Sequence, residues 1–254
     1  MSGSNGADDV LHTESRYRWG VIRPTTGDED GSSGNSEPLL SPDIVTLRNG
    51  LHLQDYTAEG VEEAMTRYWP LVDEHVANGA QRVSLAGVPI SSQLGRQRVL
   101  ELLGETERTR GVVADTASEA IIAGLQHLGI SRIAVASRWA PELNDKLVAY
   151  LEEVGIRTVS ITSEGQWAKE AFAMSIEQGV KLAAQLGREA MRKAPGAGGL
   201  LLPGGAWRSL AVVPLLEEDF GRPVITNGMA RAWRLIHDGI SPPKAGWGTL
   251  LATP

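Results

Sequence analysis

The chain has 254 residues, 42% of them hydrophobic and 22% charged, with a formal net charge of −7 and no cysteine. That size allows one large core or two of domain size, and the acidity disfavours a general attraction to nucleic acid or anionic lipid. Without cysteine, disulfides, thiolate metal sites and thiol nucleophiles are excluded outright.

Residues 1–16, MSGSNGADDVLHTESR, are polar with almost nothing to bury and read as a disordered tail. The strand YRWGVIR (Tyr17–Arg23) precedes a second run rich in Gly, Ser and Asp, Thr25–Pro38, a long loop inside the fold and a candidate lid. Helical spacing over Glu59–Gly79 ends on Asn-Gly, and the strand Gln81–Gly87 leads into a helix over Ser92–Thr109. A short strand Val112–Asp115, a helix Asp115–Gly129 and a strand Arg132–Ser137 follow. The helix Pro141–Gly155 and the strand Arg157–Thr162 repeat the unit, and a long helix then leads into GLLLPGG, Gly199–Gly205. PLLEEDFG, PVITN and a helix over Met229–Gly239 close the chain. Strands separated by helices in this order predict an α/β fold with parallel sheets covered on both faces. No apolar run approaches the ~20 residues of a membrane span, and the amino end lacks a basic segment followed by an apolar one. The expectation is a cytoplasmic protein with a small-molecule partner, no nucleic acid and no membrane.

Four strands end at small or turn-forming residues: IRPTTG, LAGVPISS, VASRWAPE and LLPGGAWRS. The space outside the carboxyl ends of strands is where α/β sheets place ligands. Gly204 and Gly205 would let the backbone turn tightly and present amide N–H groups to a ligand at a helix start; relief of crowding at a strand end explains them equally well.

The stretches GLQHLGISRIAVASRWAPELNDKLVAYLEEVGI and GGLLLPGGAWRSLAVVPLLEEDFGRPVITNGMARAWRLI follow RWGVIRPTTG and VSLAGVPISS in order. Together they resemble the aspartate/glutamate racemase superfamily, and within it arylmalonate decarboxylase and maleate isomerase. The resemblance covers nearly everything after Tyr17. It implies two pseudo-symmetric flavodoxin-like lobes, 17–113 plus 225–254 and 114–224, with a cofactor-free active site in the cleft between them. It also exposes what is missing. The positions of the proton-transferring cysteines fall on Gly204 and Gly87, the hydroxyl residues that bind a carboxylate fall on Val88 and Pro89, and the cradling tyrosine falls on Trp139. Composition therefore excludes a thiol mechanism.

Arg23, Arg138 and Arg208 sit at or just beyond strand ends, where paired guanidinium hydrogen bonds would hold a carboxylate; solvated loop arginines are the plain alternative. Thr25, Thr26, Val88 and Ser91, together with Gly87, Gly204 and Gly205, complete the expected substrate-binding loops. Trp139 and Trp207, with Trp167 and Tyr56, offer flat apolar surface to a ligand or pack between lobes. Glu119, Asp115 and His52 are the candidates for proton transfer, although Asp115 and Ser118 equally suit a helix cap. His75, His127 and His237 fall in helices and read as structural or exposed, and no side chains show metal-ligand spacing. The expected function is a cofactor-independent, decarboxylase-like lyase that acts on a small carboxylate or activated carbonyl compound through an enolate-like intermediate, without a cysteine. An isomerase or hydrolase with a carboxylate or His base, and a non-catalytic carboxylate-binding member, are the alternatives. Apolar helices in two lobes allow a homodimer.

Overall fold

The structure, a computed structural model, describes residues 16–25, 37–167, 174–205 and 207–254. Strands β1 (Tyr17–Arg23), β2 (Ile44–Gly50), β3 (Arg82–Leu85) and β4 (Val113–Thr116) form one parallel sheet in the order β2-β1-β3-β4. A second parallel sheet repeats that order with β5 (Arg132–Trp139), β6 (Arg157–Gln166), β7 (Gly199–Leu202) and β8 (Val224–Thr226), as β6-β5-β7-β8. The α/β class with two similar lobes is thus what the chain adopts. The central strands are buried on both faces, and one apolar cluster runs through both lobes, from Ile22, Val83 and Leu85 to Ile133, Val135 and Leu201.

Two expected helices are each broken in two. The first divides into α1 (Ala58–Met65) and α2 (Tyr68–Ala77), because Pro70 has no N–H to continue a helical ladder and is tolerated only in a first turn. The second divides at Gly95, whose φ of 80° and ψ of 151° separate α3 (Val88–Leu94) from α4 (Arg96–Arg110). Then come α5 (Ala117–His127), α6 (Pro141–Glu152), α7 (Ile176–Lys193), α8 (Val213–Phe220), α9 (Asn227–His237) and α10 (Thr249–Ala252). Strand β2 is absent from the sequence-based expectation.

β4 pairs with β3 and β8 with β7, so lobe boundaries at 114 and 225 fall inside those strands. The chain crosses between sheets through α5, and α9 brings it back over the first. Leu235 of α9 packs with Trp19, Val21, Ile44 and Ala86, and the Arg231 guanidinium lies 4.7 Å from the Trp19 ring centroid. Both crossing helices start directly from a strand. The hydroxyl of Thr116 accepts from the backbone N–H of Glu119, and that of Thr226 from Met229. No described helix is long and apolar enough to cross a membrane.

Candidate functional site

In each sheet the strand order reverses between the two middle strands, β1 and β3 in one and β5 and β7 in the other. Crevices at such reversals, outside the strands' carboxyl ends, are where open parallel sheets bind ligands. The residues placed there are Arg23, Pro24 and Gly87 in the first lobe and Arg138, Trp139, Gly204 and Gly205 in the second.

At the two glycines that the resemblance sets against cysteine positions, a side chain would meet a left-handed backbone and close neighbours. Gly87 has φ of 97°, and a Cβ there would lie 2.9 Å from Pro24 Cγ and 3.0 Å from Ile90 Cδ1. Gly204 has φ of 98°, and its Cβ would lie 3.3 Å from Trp139 Cζ2 and 3.5 Å from Trp139 Nε1. An indole thus stands beside Gly204 in the space a larger side chain would need.

Arg138, near the carboxyl end of β5, is only 3% exposed. Burial pushes its pKa down to about 10, against the opposing influence of Tyr56. Tyr56 belongs to the first lobe, in the loop between β2 and α1, where its carbonyl accepts from Gln93 Nε2 at 2.7 Å. Arg138 therefore feels residues from both lobes. Its guanidinium lies 5.9 Å from the Trp207 ring centroid, and Nη1 donates to Met174 Sδ at 3.7 Å.

The end of β5 is rigidly fixed. Ser137 Oγ donates to Asn144 Oδ1 at 2.7 Å, Asn144 Nδ2 donates to the Trp139 carbonyl at 3.0 Å, and Trp139 N–H donates to Ser137 Oγ at 3.2 Å. These supporting roles of Ser137 and Asn144 were not read from the sequence, although polar residues flanking an apolar strand end were a visible signal. After β7, Trp207 folds back so that its indole N–H donates to the Pro203 carbonyl at 3.0 Å. The glycine pair therefore opens a folded turn followed by a 3-10 segment, Ser209–Val212, and does not itself start a helix.

The remaining binding candidates are distributed around this centre. Arg23 is buried at the end of β1, and its carbonyl accepts from Leu51 N–H at 2.8 Å. Thr25 is half-buried just beyond Pro24, and Thr26 lies outside the described residues. Val88 and Ser91 are fully buried in α3, with Ser91 Oγ unbonded among the described residues. Arg208 is half-buried at the head of the 3-10 segment. Trp167 is partly buried against the shared apolar cluster.

The structure draws the three proton-transfer candidates elsewhere. Asp115 sits beneath α9 in a buried network. Arg82 Nη1 donates to it at 2.5 Å, the Ser84 hydroxyl donates to its other oxygen, Trp19 Nε1 donates to Ser84 at 2.7 Å, and Arg82 also grips Asp238. Burial works against the Arg82 guanidinium, but Asp115 and Tyr17 together hold its pKa above the ordinary value. Glu119 accepts paired bonds from Arg96 Nε and Nη2, each 3.0 Å, and a third from Tyr150 O–H at 2.8 Å. It is a strut joining α4, α5 and α6. Burial, then the neighbouring Glu119, raises the Tyr150 pKa. His52 is exposed at φ of 54° and lines an outer groove of about 340 Å³ with Gln54, Gly60, Glu63, Ala64 and Arg67. The cap of α5 is Thr116, and neither Asp115 nor Ser118 fills that role. Ser118 Oγ is buried without a described partner.

The sequence and the fold have counterparts among known proteins. A family model described as arylmalonate decarboxylase matches residues 20–251. The arylmalonate decarboxylase of Bordetella bronchiseptica is 28% identical over 218 residues, which cover 83% of this chain and 88% of that protein. A double variant of arylmalonate decarboxylase in liganded form superimposes with a TM-score of 0.82 at 26% identity, over 92% of this chain and 98% of the other. A maleate cis-trans isomerase of Nocardia farcinica shares the fold, with a TM-score of 0.80 at 20% identity over 93% of this chain and 98% of that one.

Proposed function

The chain belongs to the arylmalonate decarboxylase family, and from that membership we propose that it is a cofactor-independent lyase that decarboxylates a small malonate-type acid without a cysteine. The observation that supports this most directly is the buried Arg138 at the mouth of β5, beside Trp139 and Gly204. One substrate carboxylate takes paired hydrogen bonds from the Arg138 guanidinium, with the Trp139 indole N–H as a further donor. The substrate body lies against Trp207 and Tyr56. The second carboxylate, desolvated against apolar walls, leaves as CO2; its C–C bond breaks and the electron pair passes into an enediolate held by Arg138.

Protonation of that intermediate is where this chain departs from a thiol mechanism. Glycine at 87 and at 204 offers no acid on either face, and Asp115 and Glu119 are committed to Arg82 and Arg96. Water that reaches the crevice supplies the proton to carbon, and hydroxide is released. The configuration of the product then follows from the face of the enediolate that water reaches.

Proton NMR in deuterated water with arylmalonates tests this reading. The expected result is CO2 release with deuterium at the carbon beside the remaining carboxylate. Arg138→Ala should lower kcat/KM by about 10²–10³, as removal of an oxyanion-stabilising donor does. Undiminished turnover in that variant would refute the role of Arg138. Conversion of maleate without CO2 release would favour the isomerase reading, and line broadening without reaction a carboxylate-binding protein.

A further inference from the structure

Away from the crevice, Arg231 combines deep burial with unpaired donors. It lies in the second turn of α9, is 7% exposed, and rests against the Trp19 ring. Its Nε and Nη2 are buried and have no hydrogen-bond partner among the described residues. These two atoms form one side of the guanidinium fork, the same pair with which Arg96 grips the Glu119 carboxylate. Left unpaired in the interior, such donors are strongly destabilising, so this edge calls for a partner.

The strand register shows what surrounds it. Arg48, Val21, Ser84 and Asp115 stand in one row across the first sheet, with Trp19 and Arg82 paired one row nearer the strands' amino ends on the same face. That face lies under α9. Arg82 engages both Asp115 and Asp238, and Arg231 is a second guanidinium buried in the layer. Burial lowers the Arg231 pKa to about 10; Asp115 opposes the fall and Arg48 adds to it. Among the described residues, the carboxylates nearest Arg231 on this face, Asp115 and Asp238, are both held by Arg82.

We propose that the layer between α9 and the first sheet is a binding site for a small oxyanion, such as a carboxylate, phosphate or sulfate group, held side-on by Arg231 Nε and Nη2. The ligand is planar or tetrahedral, with two oxygens spaced to meet the fork, and Trp19 forms the floor beneath the guanidinium. This site is independent of the crevice and of the reaction assigned to it.

Isothermal titration and thermal unfolding of the whole chain with inorganic phosphate, sulfate and acetate, each against chloride at constant ionic strength, test the proposal and distinguish the sources. The expected result is saturable binding of one anion per chain, with Tm raised by about 5–10 °C at a hundredfold excess over Kd. Arg231→Lys, which keeps the charge but loses the fork, should weaken binding at least tenfold, and Arg231→Met should abolish it. Arg138→Ala should leave it unchanged. The proposal is overturned if the wild type shows no saturable response, if Arg231→Lys binds as the wild type does, or if Arg138→Ala abolishes binding and so places the anion in the crevice. Arg231→Lys decides the matter even if the methionine variant does not fold.

Discussion

At Gly204 a left-handed backbone and a neighbouring indole act together. With φ of 98° and Trp139 only 3.3 Å from the place of a Cβ, Gly204→Cys meets backbone strain and a tight contact with the indole. It should destabilise the chain by about 1–2 kcal/mol through the backbone alone. Pairing it with Trp139→Ala should recover the packing part, seen in urea unfolding as a coupling of about 0.5–3 kcal/mol in a double-mutant cycle. The glycine was legible in the sequence as a position of tight turning. The indole beside it was not, because the contact joins residues 65 positions apart through the ends of two strands. A second single-residue effect lies at His75, buried in α2 against Gly20. Burial depresses its pKa below 6.5, and Glu74 and the Val21 backbone restore it only in part. The unfolded chain therefore takes up a proton that the folded one refuses as pH falls through 6.5. The stability from this group is full above that value and is lost below it, by at most about 1.4 kcal/mol per pH unit. Urea unfolding from pH 7.5 to 5 should show that slope, and His75→Phe should remove its contribution.

Among the elements, strands with continuous apolar runs announced themselves, and β1 falls where it was read, at Tyr17–Arg23. β2 did not, because IVTLRNG is an edge strand, half-buried through its middle and interrupted by Arg48 and Asn49, which give it no clean alternation. The carboxylates were visible as chemistry, but their partners were not. Asp115 meets Arg82 across adjacent strands, and Glu119 meets Arg96 and Tyr150 from helices on either side of α5. These pairings exist only once sheets and helices are assembled. Asp115→Asn leaves the Arg82 guanidinium, 1% exposed, with Asp238 as its one counter-charge among the described residues. It should lower stability by about 3 kcal/mol in urea unfolding, far more than a surface pair would. A loss below about 1 kcal/mol would mean that the network is not a structural tie.

For the molecule as a whole, the two sheets behave as one folding unit. The apolar cluster is continuous between lobes, and the crossing helices α5 and α9 meet at their carboxyl ends, where Trp233 stacks on His237 at 4.8 Å and lies 5.0 Å from His127. Calorimetry should therefore give a single transition, and two resolved peaks would show independent lobes. The interwoven path of the chain also governs what happens when the backbone is cut. Residues 17–116 contain every strand of the first sheet, yet the cover for Trp19, Val21, Ile44 and Ala86 comes from α9, more than a hundred residues further on. A protease nick between α7 and β7 would leave two pieces, each holding part of the other's interior, and they would stay clasped together without a covalent bond between them.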